Sequence, residues 1–550
     1  MRPGAARPRW VRLRRRAVPG RGRATSRRAV LTVVAALLTL SSVATGLSAC
    51  HDGGAPPRHG GGPTTSDRDS PAKRAGAGRD RTVPGPEIRE HRPVPPPAWR
   101  SCPRGECARL PVPLRHGEVG GPRLALDVFR HPARRPDRRI GPLLVNPGGP
   151  GVPGVPLARR LLDTLPEEIL DRFDIVGWDP RGTGGDRPVD CGPLDGYFAL
   201  DTAPDDPAEL EALRRGSRAL ARACARRSGP LLAHVSTDDT VADMEVLRRA
   251  LGAERISFLG FSYGTFLGAR YAATHPDRVR AMVLDGALDP ALPVAEVLVD
   301  QARGFDAALA RSLAACASDD RCPLRARDGG GPRVAYDALR ARVERAPIRT
   351  RLRGERRELG PAQLDLAVGA VLYLGRRGDR LLANGIAAAL GGDPGPLLEA
   401  FDDYVRRGPG GRYGSLWPAF LATTCLDGPP LPESEAIPLL DRAAREAPDF
   451  GAATVGLSLP CAFWPVTPVR SAPGPVRADG APPILVIGTT GDPATPYRWA
   501  EALAAQLGVG RLVTVAGRSH TAAFDGNRCL DRIVERYLRE TALPPPGARC

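Results

Sequence analysis

The sequence is almost without lysine: Lys73 is the only one among 550 residues, and arginine carries the positive charge. The formal net charge is +17, of which residues 1–50 contribute +11 and residues 51–100 contribute +3. Subtracting both from the total leaves +3 for the remaining 450 residues. A body so close to neutral excludes the extended basic surface that nucleic-acid binding requires.

Metal-ligand patterns are also lacking. None of the eleven cysteines forms a C-x-x-C pair and no histidines cluster with them, so we expect no metal site. Ten cysteines remain when Cys50 is set aside, and an even number is typical of an oxidising compartment. Sequence alone does not fix their connectivity. Pairing between nearest neighbours would give Cys102–Cys107, Cys191–Cys224, Cys316–Cys322, Cys425–Cys461 and Cys529–Cys550.

The N-terminal segment is typical of an export signal. An arginine-rich stretch is followed by an apolar run over residues 29–47 and then by "LSAC", which ends at Cys50. Small residues before a cysteine resemble the bacterial lipobox, in which the cysteine is lipidated and becomes the mature N-terminus. We therefore expect a signal peptide over 1–49 and a lipid anchor on the outer face of the cell membrane. Cleaved secretion and a single membrane-spanning anchor are the alternatives.

Composition divides the rest of the chain. Residues 50–100 are rich in glycine, proline and arginine and indicate a disordered tether. Over residues 101–290, and again over 481–550, short apolar runs alternate with helical patterns. That alternation predicts an α/β fold with a mostly parallel sheet flanked by helices. Residues 291–480 have mostly helical patterns, which predict a large helical lid inserted between the two parts of the sheet domain.

The stretch "LGFSYGTFLG" (259–268) places Ser262 between a buried strand and a helix. This is the context of a nucleophile elbow, in which a sharp turn exposes the serine hydroxyl. The G-x-S-x-G pattern alone is weak evidence, because the chain contains 63 glycines. A serine nucleophile also needs an imidazole as base and a carboxylate to orient that imidazole.

Histidine supply limits the choice of base. Only His275 and His520 follow Ser262, and His275 lies near the far end of the helix that Ser262 begins. Thirteen residues at 1.5 Å each put it about 20 Å from the serine, which excludes it. His520 follows the last predicted strand and is the expected base. For the acid we favour Asp492, which follows the penultimate strand, over Asp285, whose Asp-Gly pair is equally a turn signal.

The turn "NPGGPG" (146–151) follows an earlier predicted strand. An oxyanion hole needs two backbone N–H groups directed at the developing charge. We expect these from Tyr263, directly after the nucleophile, and from Gly149 in the turn, with Gly148 as the second choice. The turn lacks the GK[ST] ending of a phosphate loop.

Five motifs in this order carry a resemblance: "NPGGPG", "GWDPRGTG", "GFSYGT", "GTTGDPATP" and the C-terminal "SH" followed by two cysteines. The chain resembles exported actinobacterial tripeptidyl aminopeptidases, which are α/β-hydrolases related to proline iminopeptidases and have a TAP-like C-terminal segment. The resemblance covers about residues 100–300 and 415–550 and assigns Ser262, Asp492 and His520 as the catalytic triad. Asn146 replaces the histidine that opens the iminopeptidase "HGGPG".

The resemblance implies a cofactor-free serine hydrolase that releases short peptides from free N-termini through an acyl-enzyme. Its expected partners are peptide substrates and the membrane, with no obligate protein partner. An exopeptidase must bind the substrate's α-ammonium group, for which Asp427, Glu433 and Glu435 in the lid are candidates, although the simpler interpretation of each is a solvated acid. A carboxylesterase with the same triad is the alternative, because one fold hosts both reactions. A binding lipoprotein without activity is disfavoured by the intact triad.

Overall fold

The computed structural model describes residues 94–325, 330–467 and 473–550. The signal segment, Cys50 and most of the expected tether therefore lie outside the described residues. Val94 and Trp99 already pack against the core, and the first strand begins at Arg100. These packed residues lie within the range 50–100 that the sequence assigns to the tether.

The first part of the sheet domain supplies seven strands and six helices. The strands are β1 (Arg100–Cys102), β2 (Gly105–Pro113), β3 (Arg123–His131), β4 (Gly141–Asn146), β5 (Phe173–Trp178), β6 (Ile256–Phe261) and β7 (Val279–Asp285). The helices are α1 (Gly154–Leu161), α2 (Glu167–Arg172), α3 (Asp195–Phe198), α4 (Pro207–Ser228), α5 (Thr237–Ala250) and α6 (Tyr263–Thr274).

The insertion that follows is mostly helical. Its helices are α7 (Val294–Ala317), α8 (Gly331–Arg345), α9 (Pro361–Leu372), α10 (Asp379–Leu390), α11 (Gly395–Val405), α12 (Leu416–Leu426), α13 (Glu433–Glu446) and α14 (Gly451–Ser458). It also contains two small antiparallel pairs, β8 (Ile348–Leu352) with β9 (Glu355–Leu359) and β10 (Arg407–Gly408) with β11 (Arg412–Tyr413). The sheet domain then resumes with β12 (Ile484–Thr489), α15 (Tyr497–Gln506), β13 (Gly510–Val515) and α16 (Arg528–Glu540).

Within the described residues, the main sheet has nine strands in the order β1-β2-β3-β5-β4-β6-β7-β12-β13. The pairs from β1 to β5 are antiparallel, and every pair from β5 through β4, β6, β7 and β12 to β13 is parallel. The central strands β4, β5, β6 and β12 are buried along their whole length, as parallel strands covered by helices on both faces must be. The predicted parallel sheet flanked by helices is confirmed.

Local sequence explains where the principal helices begin. Ser236 and Asp239 form a capping box at the start of α5, while Asp206 and Asn527 cap α4 and α16 with their side-chain oxygens. These caps satisfy backbone N–H groups that have no partner inside a helix. The capping box fixes the start of α5, whose first turn reaches the region around Tyr263.

The topology brings the candidate residues to one edge of the sheet. The turn 146–151 follows β4, Ser262 follows β6, Asp492 follows β12, and His520 follows β13. Because parallel strands end at the same edge, these four segments are neighbours despite their separation in sequence.

Candidate active site

Ser262 occupies a strained turn between β6 and α6. Its φ of 55° and ψ of −125° lie in a region that residues with side chains rarely adopt. The turn is held by the Ser262 N–H group, which donates to the main-chain oxygen of Asp285 at 2.8 Å. At Gly260 a Cβ atom would lie 2.5 Å from the main-chain oxygen of Gly264, so only glycine permits this approach. These are the features of a nucleophile elbow.

His520 and Asp492 are in direct contact. The imidazole Nδ1 lies 2.9 Å from each of the two carboxylate oxygens of Asp492. Burial lowers the pKa of His520, but the charge and hydrogen bond of Asp492, with the charge of Asp285, outweigh it and raise that pKa above its ordinary value. The other ring nitrogen, Nε2, is buried and has no hydrogen-bond partner among the described residues. Nε2 is therefore free to take a proton from a nucleophile. The hydrogen bond between a nucleophile and its base often shortens only when substrate binds.

Thr495 is a site residue that sequence reasoning missed. Its hydroxyl donates to Oδ2 of Asp492 at 2.9 Å and lies 3.4 Å from Nδ1 of His520. Oδ1 of Asp492 accepts the N–H groups of Ala494 and Thr495 at 2.8 and 3.0 Å. These hydrogen bonds hold the Asp492 carboxylate in place beside the imidazole. The turn "GDPATP" could have indicated this, since a threonine three residues after the acid can reach back to it.

Asp285, the competing acid, lies elsewhere in the same region. Its Oδ2 accepts the N–H groups of Ala522 and Ala523 at 2.8 and 2.7 Å, and no hydrogen bond to the imidazole is present among the described residues. Burial raises the pKa of Asp285 to about 6. The geometry therefore favours Asp492 as the orienting acid.

The turn 146–151 lies against the elbow. A Cβ atom on Gly148 would be 2.9 Å from the Tyr263 nitrogen and 3.0 Å from Cβ of Ser262. The N–H of Gly148 donates to Oδ1 of Asn146 at 2.9 Å, which occupies the second-choice donor and leaves Gly149 as the better candidate. Tyr263 is the first residue of α6, so its N–H has no acceptor one turn earlier in the helix.

The helical insertion contacts the histidine directly. The N–H of His520 donates to the main-chain oxygen of Tyr373, just after α9, at 3.1 Å. The Tyr373 ring is nearly perpendicular to the imidazole, with centroids 5.1 Å apart. The α12 helix packs on the glycine turn, where a Cβ atom on Gly151 would lie 2.6 Å from the Leu416 oxygen. The insertion thus covers both sides of the candidate site.

A cavity of about 190 Å³ adjoins α6 under the insertion, and its lining is mainly apolar. Asp427, which follows α12, is one of its few acidic residues. The carboxylate of Asp427 accepts the N–H and the hydroxyl of Thr237 at 2.7 and 2.6 Å. The same hydroxyl is hydrogen-bonded to the phenol of Tyr263. Burial and the charge of Asp427 raise the pKa of Tyr263 well above its ordinary value, so this phenol stays neutral.

The other two acids predicted to bind an ammonium group are placed differently. Glu433 binds Arg214 and Arg218, so its charge is already neutralised and its pKa is lowered, although partial burial opposes that shift. This ion pairing argues against the predicted role of Glu433. Glu435 is exposed in the first turn of α13. Asp427 alone of the three lines the cavity.

The structure contains five disulfides, and they join the nearest-neighbour pairs: Cys102–Cys107, Cys191–Cys224, Cys316–Cys322, Cys425–Cys461 and Cys529–Cys550. Both Cys425 and Cys461 line the cavity. Their bond ties the end of α12 to the short 3₁₀ helix Leu459–Phe463, and so fixes the wall from which Asp427 projects.

The predicted signal peptide and the lipidation site at Cys50 fall outside the described residues. Within the three described ranges, no helix combines the length and the apolar character needed to cross a membrane.

Two family models match the chain. The model described as "alpha/beta hydrolase fold" covers residues 141–356, and the model described as "TAP-like protein" covers residues 447–550. The first match includes β4, the elbow and Asp285, and the second includes Asp492, Thr495 and His520. Together they span the segments that carry the candidate site.

Three relatives are similar over most of their length. "Serine protease Hip1" of Mycobacterium tuberculosis is 36% identical over 465 residues, which is 81% of this chain and 87% of that protein. "Carboxylesterase B" of the same species is 35% identical, covering 83% of this chain and 90% of that protein. "Tripeptidyl aminopeptidase" of Streptomyces lividans is 30% identical, covering 79% and 81%.

Proposed function

The chain belongs to the α/β-hydrolases with a TAP-like C-terminal segment and is a serine hydrolase, and from this premise we propose that it is an exported exopeptidase that releases short peptides, of about three residues, from free N-termini. The substrate is a peptide with an unblocked α-ammonium group. The observation that carries the proposal is the position of Asp427 in the wall of an apolar cavity beside α6.

The proposed reaction uses the residues of the candidate site. Ser262 Oγ attacks the scissile carbonyl carbon while His520 Nε2 takes its proton, and Asp492 holds the imidazole through Nδ1. The N–H groups of Gly149 and Tyr263 stabilise the oxyanion. Collapse of the tetrahedral intermediate breaks the C–N bond, and His520 returns the proton to the leaving amine. Water, deprotonated by His520, then releases the acyl portion and restores Ser262.

Asp427 supports exopeptidase specificity through its charge and its location. The Asp427 carboxylate accepts the N–H and the hydroxyl of Thr237, and these bonds orient it in the cavity wall. An ammonium group that enters the cavity would meet this charge among apolar side chains, where charge-assisted hydrogen bonds are strong. Phe266 and Leu288 line the same cavity and would contact the apolar part of the N-terminal residue.

The alternative is a carboxylesterase, which the apolar lining of the cavity and the relative of that name favour. The test compares three substrates on wild-type enzyme: a tripeptidyl amide, its N-acetylated analogue and a short-chain ester. Acetylation removes a contact of about 1.5–3 kcal/mol and leaves a carboxylate poorly paired. The free tripeptide should therefore be favoured at least ~100-fold in kcat/KM. Equal rates on both peptides, with faster cleavage of the ester, would establish the esterase.

The proposed location is the outer face of the cell membrane, through a lipid on Cys50. The "LSAC" sequence and the low-complexity stretch after it support this part of the proposal. The five disulfides also fit an oxidising compartment.

A further inference from the structure

Asp285 is bonded to both halves of the candidate site. It is the last residue of β7 and is fully buried. Its main-chain oxygen accepts the N–H of Ser262 at 2.8 Å, and this bond holds the elbow in its strained conformation. A residue at this position therefore acts on Ser262 through its backbone, whatever its side chain.

The side chain of Asp285 acts on the other half. Its Oδ2 accepts two consecutive N–H groups, those of Ala522 and Ala523, in the turn that follows His520. Thr521, between them and the histidine, has a φ of 63°, which is unfavourable for a β-branched residue. Two hydrogen bonds to a carboxylate offset that strain and fix the turn immediately after the imidazole.

The next residue, Gly286, completes the contact with His520. A Cβ atom there would lie 3.1 Å from Cε1 of the imidazole and 3.0 Å from Cγ2 of Thr521. The peptide after Asp285 thus packs against the edge of the imidazole between its two nitrogens. Oδ1 of Asp285 is buried and has no hydrogen-bond partner among the described residues, so its charge is not neutralised locally.

We propose that Asp285 is a positioning residue for catalysis. It holds the turn after His520 in place, and so fixes the position of the imidazole relative to Ser262, and it contributes negative charge beside the imidazole. Asp492 already contacts Nδ1 with both oxygens, so Asp285 is not the orienting acid. This inference rests on the proposed role of His520 as the base.

The charge gives the inference a signature that a purely structural residue would lack. The charged groups that act on His520 are Asp492, after β12, and Asp285, at the end of β7, while the insertion presents the neutral ring of Tyr373. Removing either charge should lower the pKa of His520. With a lower pKa, the imidazole of His520 would lose its proton and become active at a lower pH. The acid limb of the kcat/KM profile would therefore shift to lower pH.

The test uses the full-length enzyme and a short-chain ester, with Asp285→Asn and Asp285→Ala. Asn keeps an oxygen for the two N–H groups but loses the charge, so the acid limb should move to lower pH and kcat should fall about tenfold. Ala also frees the turn, so kcat should fall about 100-fold with KM changed less than about threefold.

Asp174 provides the matched control. It is also buried and accepts a backbone N–H, that of Ala133 at 3.0 Å, but lies at the amino end of β5. Asp174→Asn should lower Tm without moving kcat or the acid limb. If Asp285→Asn also lowers only Tm, Asp285 is purely structural and the inference is wrong. Asp285→Asn decides this even if the Ala variant does not fold.

Failure here is distinguishable from failure of the proposed function. The substrate comparison uses wild-type enzyme on three substrates, whereas this test compares variants on one ester that any serine hydrolase of this family could accept. An esterase result in the first leaves the second unchanged.

Discussion

The hydroxyl of Thr495 bridges the acid and the base of the candidate triad, 2.9 Å from Oδ2 of Asp492 and 3.4 Å from Nδ1 of His520. With the N–H groups of Ala494 and Thr495 on Oδ1, it leaves Asp492 fully hydrogen-bonded and only 4% exposed. The acid is therefore held rigidly, and the orientation of His520 depends on it.

Asp492→Asn should reduce kcat by about 10⁴-fold, because a neutral amide no longer selects the productive imidazole tautomer. Asp285→Asn, at the same edge of the sheet, should cost only about tenfold. Steady-state hydrolysis of an ester by the two variants gives the ranking. The opposite ranking would transfer the role of orienting acid to Asp285.

Ser262→Ala should abolish hydrolysis and labelling by a fluorophosphonate probe, because the alanine has no hydroxyl to attack. Ser257→Ala, buried on the strand β6 that precedes Ser262, is the control and should retain both. Peptide mapping of the labelled wild-type protein should find the probe on Ser262. A probe on any other residue would disprove the assignment.

Asp427→Asn should shrink the preference for a free over an acetylated tripeptide from at least ~100-fold to less than about tenfold. The ester rate should change much less, since an ester presents no ammonium group. Glu435→Gln, exposed on α13, should leave the preference intact. An unchanged preference in the Asp427 variant would show that another group binds the amine.

Cys50→Ser should release the protein from the membrane fraction, because serine cannot accept the thioether-linked lipid. Cell fractionation measures the release, and intact-mass analysis should find a diacylglycerol on residue 50 of the wild-type protein. Cys316→Ser, in a disulfide of the insertion, controls for general effects of losing a cysteine. A mature N-terminus elsewhere would contradict lipidation.

Asp365→Asn should raise Tm more at pH 8 than at pH 5. Asp365, on α9, is buried and lines a small cavity between the insertion and the first part of the sheet domain. Burial, partly opposed by Arg340, raises its pKa to about 7. A carboxyl whose pKa is higher in the folded than in the unfolded protein destabilises the folded state as pH rises from the unfolded-state pKa, near 4, to the folded-state pKa. Asn removes this destabilisation. Asp441→Asn, exposed on α13, should shift Tm little at either pH, and equal shifts for Asp365→Asn would refute the effect.

The sequence was sufficient to predict the parts of the fold that depend on local pattern. Continuous apolar runs marked β4, β6 and β12, because buried parallel strands need no polar face. The pattern did not reveal β2, whose Pro111 and Pro113 argue against a strand, or the charged hairpin β8–β9 in the insertion. Each of them pairs with a strand close in sequence, but proline in β2 and charged residues in β8 and β9 mask the pattern that indicates a strand.

The parallel sheet also explains the arrangement of the candidate site. Parallel strands end at the same edge of a sheet, so Ser262, Asp492 and His520, which follow β6, β12 and β13, lie at that edge. Packing between α12, α13 and α4 decides which lid acid faces the cavity, and no local pattern distinguishes Asp427 from Glu433. Arg181, in the motif "GWDPRG", has a structural role, because its buried guanidinium donates hydrogen bonds to both carboxylate oxygens of Asp243.

The bond from the His520 N–H to the Tyr373 oxygen has a consequence for how substrates enter. A movement that lifted the end of α9 off the sheet domain would break this bond to the residue proposed as the base, so we expect the reaction to take place with the insertion seated. A loose peptide end is narrower than a folded protein, so a seated insertion is compatible with the proposed entry of substrates by a free N-terminus.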